Sequence, residues 1–185
     1  MMNNPLAIGS PIPEFKNLPA VGGRTYSWED FKNIKILVVV FSCNHCPYVQ
    51  AYEDRMIVLQ RDCAPKGVQL VAINSNETVH YPEDNFSEMV TRAMTKGFNF
   101  PYLRDDDQSV ADAFGASHTP EFFVFAMRGG EARQRLEYHG RMDDNYQNPA
   151  QVSRHYVREA IEALLAGKHV GETETHSIGC TIKWK

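Results

Sequence analysis

The sequence predicts an α/β fold in which a central mixed β-sheet is flanked by helices. Two observations carry this prediction. The run Ile36–Phe41 is apolar at every position, as in a strand that is buried on both faces. After it, segments of helical periodicity alternate with short apolar runs, which is typical of strands joined by helical crossovers.

The first β-α-β unit is the best defined part of the pattern. Apolar residues recur at three- and four-residue spacing from about Pro47 to Cys63, and Pro65 and Gly67 end this predicted helix. The run Val68–Ile73 then reads as the next strand. A crossover of this length makes the two strands parallel.

The rest of the chain completes the order β-α-β-α-(α)-β-β-α. A helix is expected over Glu83–Lys96 with Gly97 as its C-terminal cap, followed by a short helix that is capped by Asp106 or Asp107 and runs through Val110 and Phe114. Strands are expected over Phe122–Phe125 and Leu136–His139, around a Gly129-Gly130 turn. The last helix has Asn148 as N-cap, Pro149 at its first position, Gln151 in a capping box and Gly167 at its end.

The length of 185 residues fits a single domain over residues 1–185. Residues 1–33 are rich in proline and glycine and are predicted to form an extension of loops and a short hairpin. Residues 168–185 are predicted to form an extended tail. Its alternation favours a strand-like segment laid against the body, with four residues facing inward: Ile178, Cys180, Ile182 and Trp184.

Composition narrows the functional classes. The formal net charge is −4 and no basic cluster is evident, which argues against nucleic acid as a partner. The longest apolar stretch, Ile36–Phe41, is far too short to span a membrane. Because the N-terminal residues lack a positive segment followed by a long apolar run, no secretion signal is expected and the predicted location is the cytoplasm.

Cys43 and Cys46 form a C-x-x-C motif between a buried strand and a helix. This spacing allows the two sulfurs to form a disulfide, and the N-terminus of a helix favours a thiolate. We expect Cys43 to be the more exposed thiol and the nucleophile. Cys46, one turn into the helix, is expected to resolve the mixed disulfide that Cys43 forms.

His45 lies between the two cysteines. A protonated imidazole at this position is expected to stabilise the thiolate and to make the disulfide more oxidising. The alternative interpretation is half of a zinc site or two unreactive thiols. Zinc usually needs four ligands, and the chain has no second cysteine pair, so no metal is expected.

These features resemble the thioredoxin superfamily, in particular the peroxiredoxin-like branch of the alkyl hydroperoxide reductase/thiol-specific antioxidant family. The resemblance implies a thioredoxin-like fold with a peroxiredoxin-like N-terminal extension. It also implies that Pro120 is a cis-proline beside the disulfide and that Thr119 pairs its backbone with a bound substrate, so that His45, Pro47, Thr119 and Pro120 shape the site. The motifs that carry it are Phe41-Ser-Cys-Asn-His-Cys-Pro-Tyr48, Gly97-Phe-Asn-Phe-Pro-Tyr-Leu103, Thr119-Pro120, Gly140-Arg-Met-Asp-Asp144 and Gly179-Cys-Thr-Ile-Lys-Trp-Lys185.

The chain departs from this family at two points. Peroxiredoxins carry a proline and a threonine before the peroxide-attacking cysteine, and aligning that cysteine with Cys46 puts Val39 and Cys43 at those positions. Thioredoxins carry a buried aspartate on the central strand, whereas Ile36–Phe41 has no carboxylate. The proton of Cys46 must then pass to water, to His45 or to an acid from elsewhere in the fold such as Glu121, although a solvated loop acid is the more common role of such a residue.

The two remaining cysteines have different expected roles. Cys63 continues the apolar stripe of the first helix and is expected to be a small buried hydrophobe. Cys180 is expected to be a buried structural thiol, with the alternative that it is a third redox cysteine that reaches the site and resolves Cys43.

The leading hypothesis is therefore a thiol–disulfide oxidoreductase whose reversible Cys43–Cys46 disulfide is the redox centre, without a bound cofactor. Its expected partners are protein or small-molecule thiols and disulfides, together with a reductase or thiol pool as electron donor. The alternatives are a peroxiredoxin-like thiol peroxidase or antioxidant, and a non-enzymatic thioredoxin-fold module for binding or redox sensing.

Overall fold

The structure is a computed structural model that describes residues 4–185. Residues 1–3, the first of the predicted N-terminal extension, lie outside the described part. Over residues 4–185 there are nine strands: β1 (Leu18–Pro19), β2 (Thr25–Tyr26), β3 (Ile36–Phe41), β4 (Val68–Asn74), β5 (Tyr102–Arg104), β6 (His118–Thr119), β7 (Glu121–Ala126), β8 (Arg135–Gly140) and β9 (Cys180–Thr181).

Four α-helices join these strands within the same residues: α1 (Pro47–Cys63), α2 (Phe86–Lys96), α3 (Ser109–Phe114) and α4 (Tyr156–Leu165). Short 3₁₀ turns lie at Trp28–Phe31, Ala64–Lys66, Pro82–Asp84 and Pro149–Gln151. None of the helices in this part of the chain combines the length and the apolar character needed to cross a bilayer.

The main sheet is mixed and has five strands in the order β5-β4-β3-β7-β8. β3 lies at its centre, parallel to β4 and antiparallel to β7. β8 pairs antiparallel with β7 through a turn, as the sequence predicts. The predicted α/β class with a central mixed sheet flanked by helices is confirmed.

The side chains of β3 explain why its sequence is apolar throughout. Val38 and Val40 pack with residues of α1, α2 and α4 on one face of the sheet. Leu37 and Val39 pack on the other face with α3 and with the N-terminal segment, which contributes Ile12, Phe15, Leu18 and Phe31. Both faces are therefore covered by protein, and the N-terminal extension is part of the core.

The start of α2 differs from the sequence prediction. The predicted helix over Glu83–Lys96 is divided: Pro82–Asp84 forms a 3₁₀ turn, and α2 begins after Asn85, whose side chain accepts a hydrogen bond from the N–H of Glu88. The division turns Asp84 inward, where it is fully buried. At α3, Asp107, one of the two predicted capping residues, accepts from the N–H of Ser109, and the buried carboxylate of Asp105 accepts from the next two N–H groups.

The last helix also begins later than predicted. Asn148 caps only the Pro149–Gln151 turn, accepting from the N–H of Ala150, and α4 begins at Tyr156. The intervening residues are held away from helical geometry because the Asp144 carboxylate accepts hydrogen bonds from the backbone and the hydroxyl of Ser153. This contact is between loops and leaves no signal in the local sequence.

Candidate dithiol site at the end of the central strand

The C-x-x-C motif lies at the carboxyl end of β3, the central strand. The N–H of Ser42 continues the ladder by donating to the carbonyl of Ile73 at 2.8 Å. Cys46 is the N-cap of α1 and Pro47 is its first residue, where the missing N–H costs no hydrogen bond. The prediction that Cys46 lies one turn inside the helix is therefore wrong, and Cys43 precedes the helix altogether.

Both thiols are covered by protein. Cys43 is 2% exposed and Cys46 is fully buried, so Cys43 is the more exposed of the two, as predicted, but only by this small margin. The two cysteines pack with Val49, and with the half-buried side chains of Tyr48 and Cys180. The cover arises from the C-terminal tail, which a local pattern does not reveal.

The Thr119–Pro120 peptide bond is cis, as the family resemblance implies. Thr119 contacts each sulfur through a different atom. Its hydroxyl lies 3.5 Å from Cys43 Sγ, and its carbonyl oxygen lies 3.3 Å from Cys46 Sγ, placed to accept a hydrogen bond from the thiol. A single buried residue therefore holds both thiols.

The two sulfurs ionise as a unit. A hydrogen bond with Cys46, burial and the negative charge of Asp84 raise the pKa of Cys43, against the Thr119 hydroxyl, which lowers it. The same hydrogen bond from Cys43 lowers the pKa of Cys46 against the cost of burial, with help from Cys180. The N–H of Val49 also faces the Cys46 sulfur, without the geometry of a full cap hydrogen bond. The hydrogen bond between the two sulfurs therefore favours ionisation of Cys46 over that of Cys43.

Asp84 is a site residue that sequence reasoning missed. Its fully buried carboxylate accepts from the N–H of Asn44 at 2.7 Å, from Nδ1 of His45 at 2.6 Å and from the side chain of Asn76 at 2.7 Å. It lies 38 residues after Cys46 in the sequence, in the 3₁₀ turn before α2, so no local motif links the two. Asp84 fixes the backbone and the imidazole of the C-x-x-C loop.

His45 is consequently not the free cation that the sequence suggests. Its Nδ1 is bonded to Asp84, and its ring stacks on Tyr81 with the centroids 5.5 Å apart. Because its Nδ1 is held by the Asp84 carboxylate, the imidazole does not act on the sulfurs as an isolated charge. The buried carboxylate of Asp84 opposes a thiolate at Cys43.

Cys43, His45 and Asp84 are also the described residues best placed to hold a metal ion. One potential ligand atom from each lies within 4.8 Å of the others. However, the Asp84 oxygens already accept three N–H bonds, and a metal would have to displace His45 from its 2.6 Å contact. The hydrogen-bonded loop accounts for these three residues without a metal.

Glu121, which follows the cis-proline, is 2% exposed and is not a solvated loop acid. One of its oxygens accepts from the N–H groups of Ser117 and His118 at 2.7 and 2.9 Å, and the other lies 2.6 Å from Nε2 of His139. Burial opposes its ionisation, but these three hydrogen bonds outweigh it and lower the pKa of Glu121. Its role is to hold the loop that carries Thr119.

The two remaining cysteines differ in their distance from the site. Cys63 is 3% exposed in the core, as predicted, at the far end of α1. At 1.5 Å per residue that end lies about 25 Å from Cys46. Cys180 is half-buried beside the site, and its thiol and N–H both face Cys46 rather than Cys43. The alternative in which Cys180 reaches the site agrees with the structure, but the sulfur that it reaches is Cys46.

Replacing Asp84 with asparagine is expected to make the disulfide more oxidising. The substitution keeps an oxygen for the N–H of Asn44 but removes the negative charge that raises the pKa of Cys43. Lowering the pKa of the thiol by one unit moves the midpoint potential by about 30 mV toward less negative values. The measurement is a titration of wild type and Asp84→Asn in the same thiol buffers.

Asp105→Asn is the matched control. Asp105 is another fully buried acid, but its carboxylate bonds to Ser75 and to the start of α3 and does not contact the thiols. Its midpoint should equal that of wild type. Equal midpoints for Asp84→Asn and wild type would show that Asp84 does not act on the dithiol.

Comparisons with known proteins agree with this geometry. The redoxin family profile matches residues 7–148. None of the curated proteins matches the chain at a significant level.

Among solved structures, an uncharacterised conserved protein from Geobacillus kaustophilus is 39% identical, with 97% of this chain and 93% of that chain covered and a TM-score of 0.88. A hypothetical protein from Sinorhizobium meliloti 1021 is 38% identical, with 98% and 97% covered and a TM-score of 0.89. A thioredoxin-like protein in its oxidised form shares the fold at 14% identity, with 89% and 100% covered and a TM-score of 0.68.

Proposed function

The chain belongs to the redoxin family, and we propose that it is a thiol–disulfide oxidoreductase that works through a reversible Cys43–Cys46 disulfide. Its family and thioredoxin-like fold are those of thiol-based redox proteins. The observation that supports the specific mechanism is that both sulfurs contact Thr119 beside the cis-Pro120 bond, while their mutual hydrogen bond raises the pKa of Cys43 and lowers that of Cys46. Two adjacent thiols that differ in protonation suit two-electron exchange.

Cys46 supplies the base for the first step. When the Cys43 proton moves to Cys46, the Cys43 thiolate accepts a hydrogen bond from the Thr119 hydroxyl, and the Cys46 thiol donates to the Thr119 carbonyl. Both contacts are already in place, at 3.5 and 3.3 Å. Cys46 thus serves as the proton acceptor that the missing strand aspartate would otherwise provide.

The exchange then proceeds in two displacements. The Cys43 thiolate attacks a substrate disulfide, forms a mixed disulfide and releases the first substrate thiolate, which takes up the proton from Cys46. The Cys46 thiolate attacks the Cys43 sulfur and releases the second substrate thiolate, which is protonated from water. The substrate gains two electrons, and the protein is left with the Cys43–Cys46 disulfide.

This chemistry defines the partners that the protein requires. The substrates are protein or small-molecule disulfides and thiols, and a reductase or a thiol pool returns the dithiol. No organic cofactor is needed because the two sulfurs carry both electrons. We place the protein in the cytoplasm, since its cysteines form a redox site rather than a disulfide scaffold.

The proposal is tested by catalytic turnover. Substoichiometric protein, supplied with a dithiol donor, should accelerate the reduction of a peptide disulfide in proportion to its concentration. The same protein, reduced and then fully alkylated, is the control and should give the uncatalysed rate. Equal rates with active and alkylated protein would contradict the proposal.

A thiol peroxidase is the second candidate, because Cys46 occupies the position of the peroxide-attacking cysteine and its pKa is lowered by the hydrogen bond from Cys43. However, the hydroxyl of Thr119 lies at Cys43, and only the Thr119 carbonyl faces Cys46. At the threonine position Cys43 offers only a thiol, which is a weaker donor than a hydroxyl, to polarise a peroxide on Cys46.

We therefore expect hydrogen peroxide to oxidise the reduced protein at the slow rate of an ordinary protein thiolate. Stopped-flow mixing of reduced protein with peroxide, followed by tryptophan fluorescence or thiol loss, measures this rate. Oxidation at the rates typical of peroxiredoxins would make peroxidase the leading function.

A further inference from the structure

The C-terminal tail occupies the edge of the site. β9 pairs antiparallel with β6, so that Cys180 lies opposite Thr119 and Thr181 lies opposite His118. Gly179 passes so close to Thr119 that an added Cβ would lie 2.2 Å from the Thr119 carbonyl oxygen. The backbone edge that precedes the cis-proline is therefore already paired, with this chain's own strand.

The tail is anchored immediately after Cys180. Ile182 is 3% exposed and packs into the core against the sheet. The carbonyl of Lys183 accepts hydrogen bonds from the N–H of Glu77 and from the side chain of Gln108, each at 2.8 Å. The N–H of Lys183 donates to the side chain of Asn76 at 2.8 Å. These contacts hold Cys180 at one position along β6.

That position places a third thiol against the dithiol pair. Cys180 packs on the cluster of Cys43, Cys46 and Val49, and its thiol faces Cys46. It is half-buried, so one side remains open to solvent. The tail thus presents a cysteine to the dithiol in the way that an external substrate strand would.

We propose that the tail is a built-in substrate strand, and that Cys180 exchanges with the Cys43–Cys46 disulfide to give a Cys46–Cys180 disulfide and a free Cys43 thiol. This inference rests on the proposed function. The exchange is an isomerisation and needs no added oxidant. The Cys180 sulfur attacks Cys46 Sγ, the Cys46–Cys43 bond breaks, and the Cys180 proton passes to the departing Cys43 sulfur.

The protonation of the three sulfurs supports this direction. Burial raises the pKa of Cys180 to about 11, so the reduced protein keeps this thiol protonated. The pKa of Cys43 is raised in the reduced protein by its hydrogen bond with Cys46, by burial and by Asp84. Burial and Asp84 remain in the isomer, so a departing Cys43 sulfur retains the transferred proton. The isomer then offers Cys43 as a thiol while the tail is covalently held.

The first experiment uses Cys43→Ser oxidised with glutathione disulfide. We expect glutathione to attach to Cys46 and Cys180 to displace it, leaving a Cys46–Cys180 disulfide in most molecules after alkylation and peptide mass analysis. Cys43→Ser/Cys180→Ser is the control, and it should retain glutathione on Cys46. Glutathione that stays on Cys46 of Cys43→Ser, with Cys180 free to be alkylated, would overturn the proposal.

The second experiment tests the exchange in wild type. Protein oxidised by one equivalent should contain both the Cys43–Cys46 and Cys46–Cys180 isomers, and Cys180→Ser should contain only the first. In oxidised Cys180→Ser, Cys43 should be alkylated at least 10-fold less than in oxidised wild type. Oxidised wild type that contains Cys43–Cys46 alone would overturn the role of the tail and leave the proposed function intact, whereas a pair that never closes would refute the proposed function itself.

Discussion

Replacing Cys46 with serine is expected to stop turnover and to trap the substrate on Cys43. Serine keeps the size of the side chain but has no thiolate with which to resolve the mixed disulfide. The first displacement still proceeds, more slowly, because water accepts the Cys43 proton in place of Cys46. Removing a covalent nucleophile from an enzyme commonly costs three orders of magnitude or more, so turnover should fall at least about 1,000-fold. Intact-protein mass after incubation with a peptide disulfide should show one peptide attached.

Cys43→Ser should lose turnover to a similar extent, because the first displacement has no nucleophile. Cys63→Ser is the matched control, since Cys63 is a buried cysteine of the same helix and lies far from the site. It should retain the wild-type rate. A Cys46→Ser variant that turns over normally, or that collects no adduct on Cys43, would contradict the order of attack.

Replacing Glu121 with alanine is expected to destabilise the fold by about 3 kcal/mol, in the range for removing one partner of a buried charged network. The substitution leaves the N–H groups of Ser117 and His118 and the ring of His139 without their shared acceptor. In a protein of this size such a loss lowers the melting temperature by about 10 °C. Thermal or urea unfolding at neutral pH measures the effect.

The pH dependence of this stability difference shows whether the ionised carboxylate of Glu121 is its cause. The pKa of Glu121 is lowered in the folded protein, so its ionised form stabilises the fold above the unfolded-state pKa, and this contribution is lost as the pH falls through the lower folded-state value. The difference between wild type and Glu121→Ala should therefore shrink under acidic conditions.

Glu137→Ala is the comparison for this effect. The Glu137 partner, Arg128, is 48% exposed and remains solvated when the carboxylate is removed. The expected cost is therefore no more than about 1 kcal/mol. A loss for Glu121→Ala as small as this would refute the anchoring role of Glu121.

The position of the dithiol was predictable from the sequence because it depends on short-range patterns. An apolar run specifies β3, a helical stripe specifies α1, and the two cysteines lie between them. The β-α-β crossover then places the motif at the carboxyl end of a central strand. The cis bond at Pro120 came from the family resemblance rather than from the pattern.

The surroundings of the dithiol were not predictable in this way because they are assembled from distant segments. Asp84 enters the site from a turn that reads as the start of a helix. The burial of Glu121 depends on His139, which the pairing of β7 with β8 brings beside it. Cys180 has a strand-like pattern, but only the register of β9 on β6 shows that it faces Cys46. These contacts form the surroundings of the two thiols. The residues that make them are far apart in the sequence, so no local motif predicts them.

The central claim is most directly tested by a redox titration of the wild-type protein in graded dithiol buffers, with each cysteine identified by alkylation and peptide mass. We predict one reversible two-electron transition, with a slope of about 30 mV per tenfold change in the ratio of oxidised to reduced protein. It should convert Cys43 and Cys46 to a disulfide, part of which exchanges to the Cys46–Cys180 isomer, while Cys63 remains alkylated throughout. A Cys43–Cys46 bond that does not form at any potential would contradict the account.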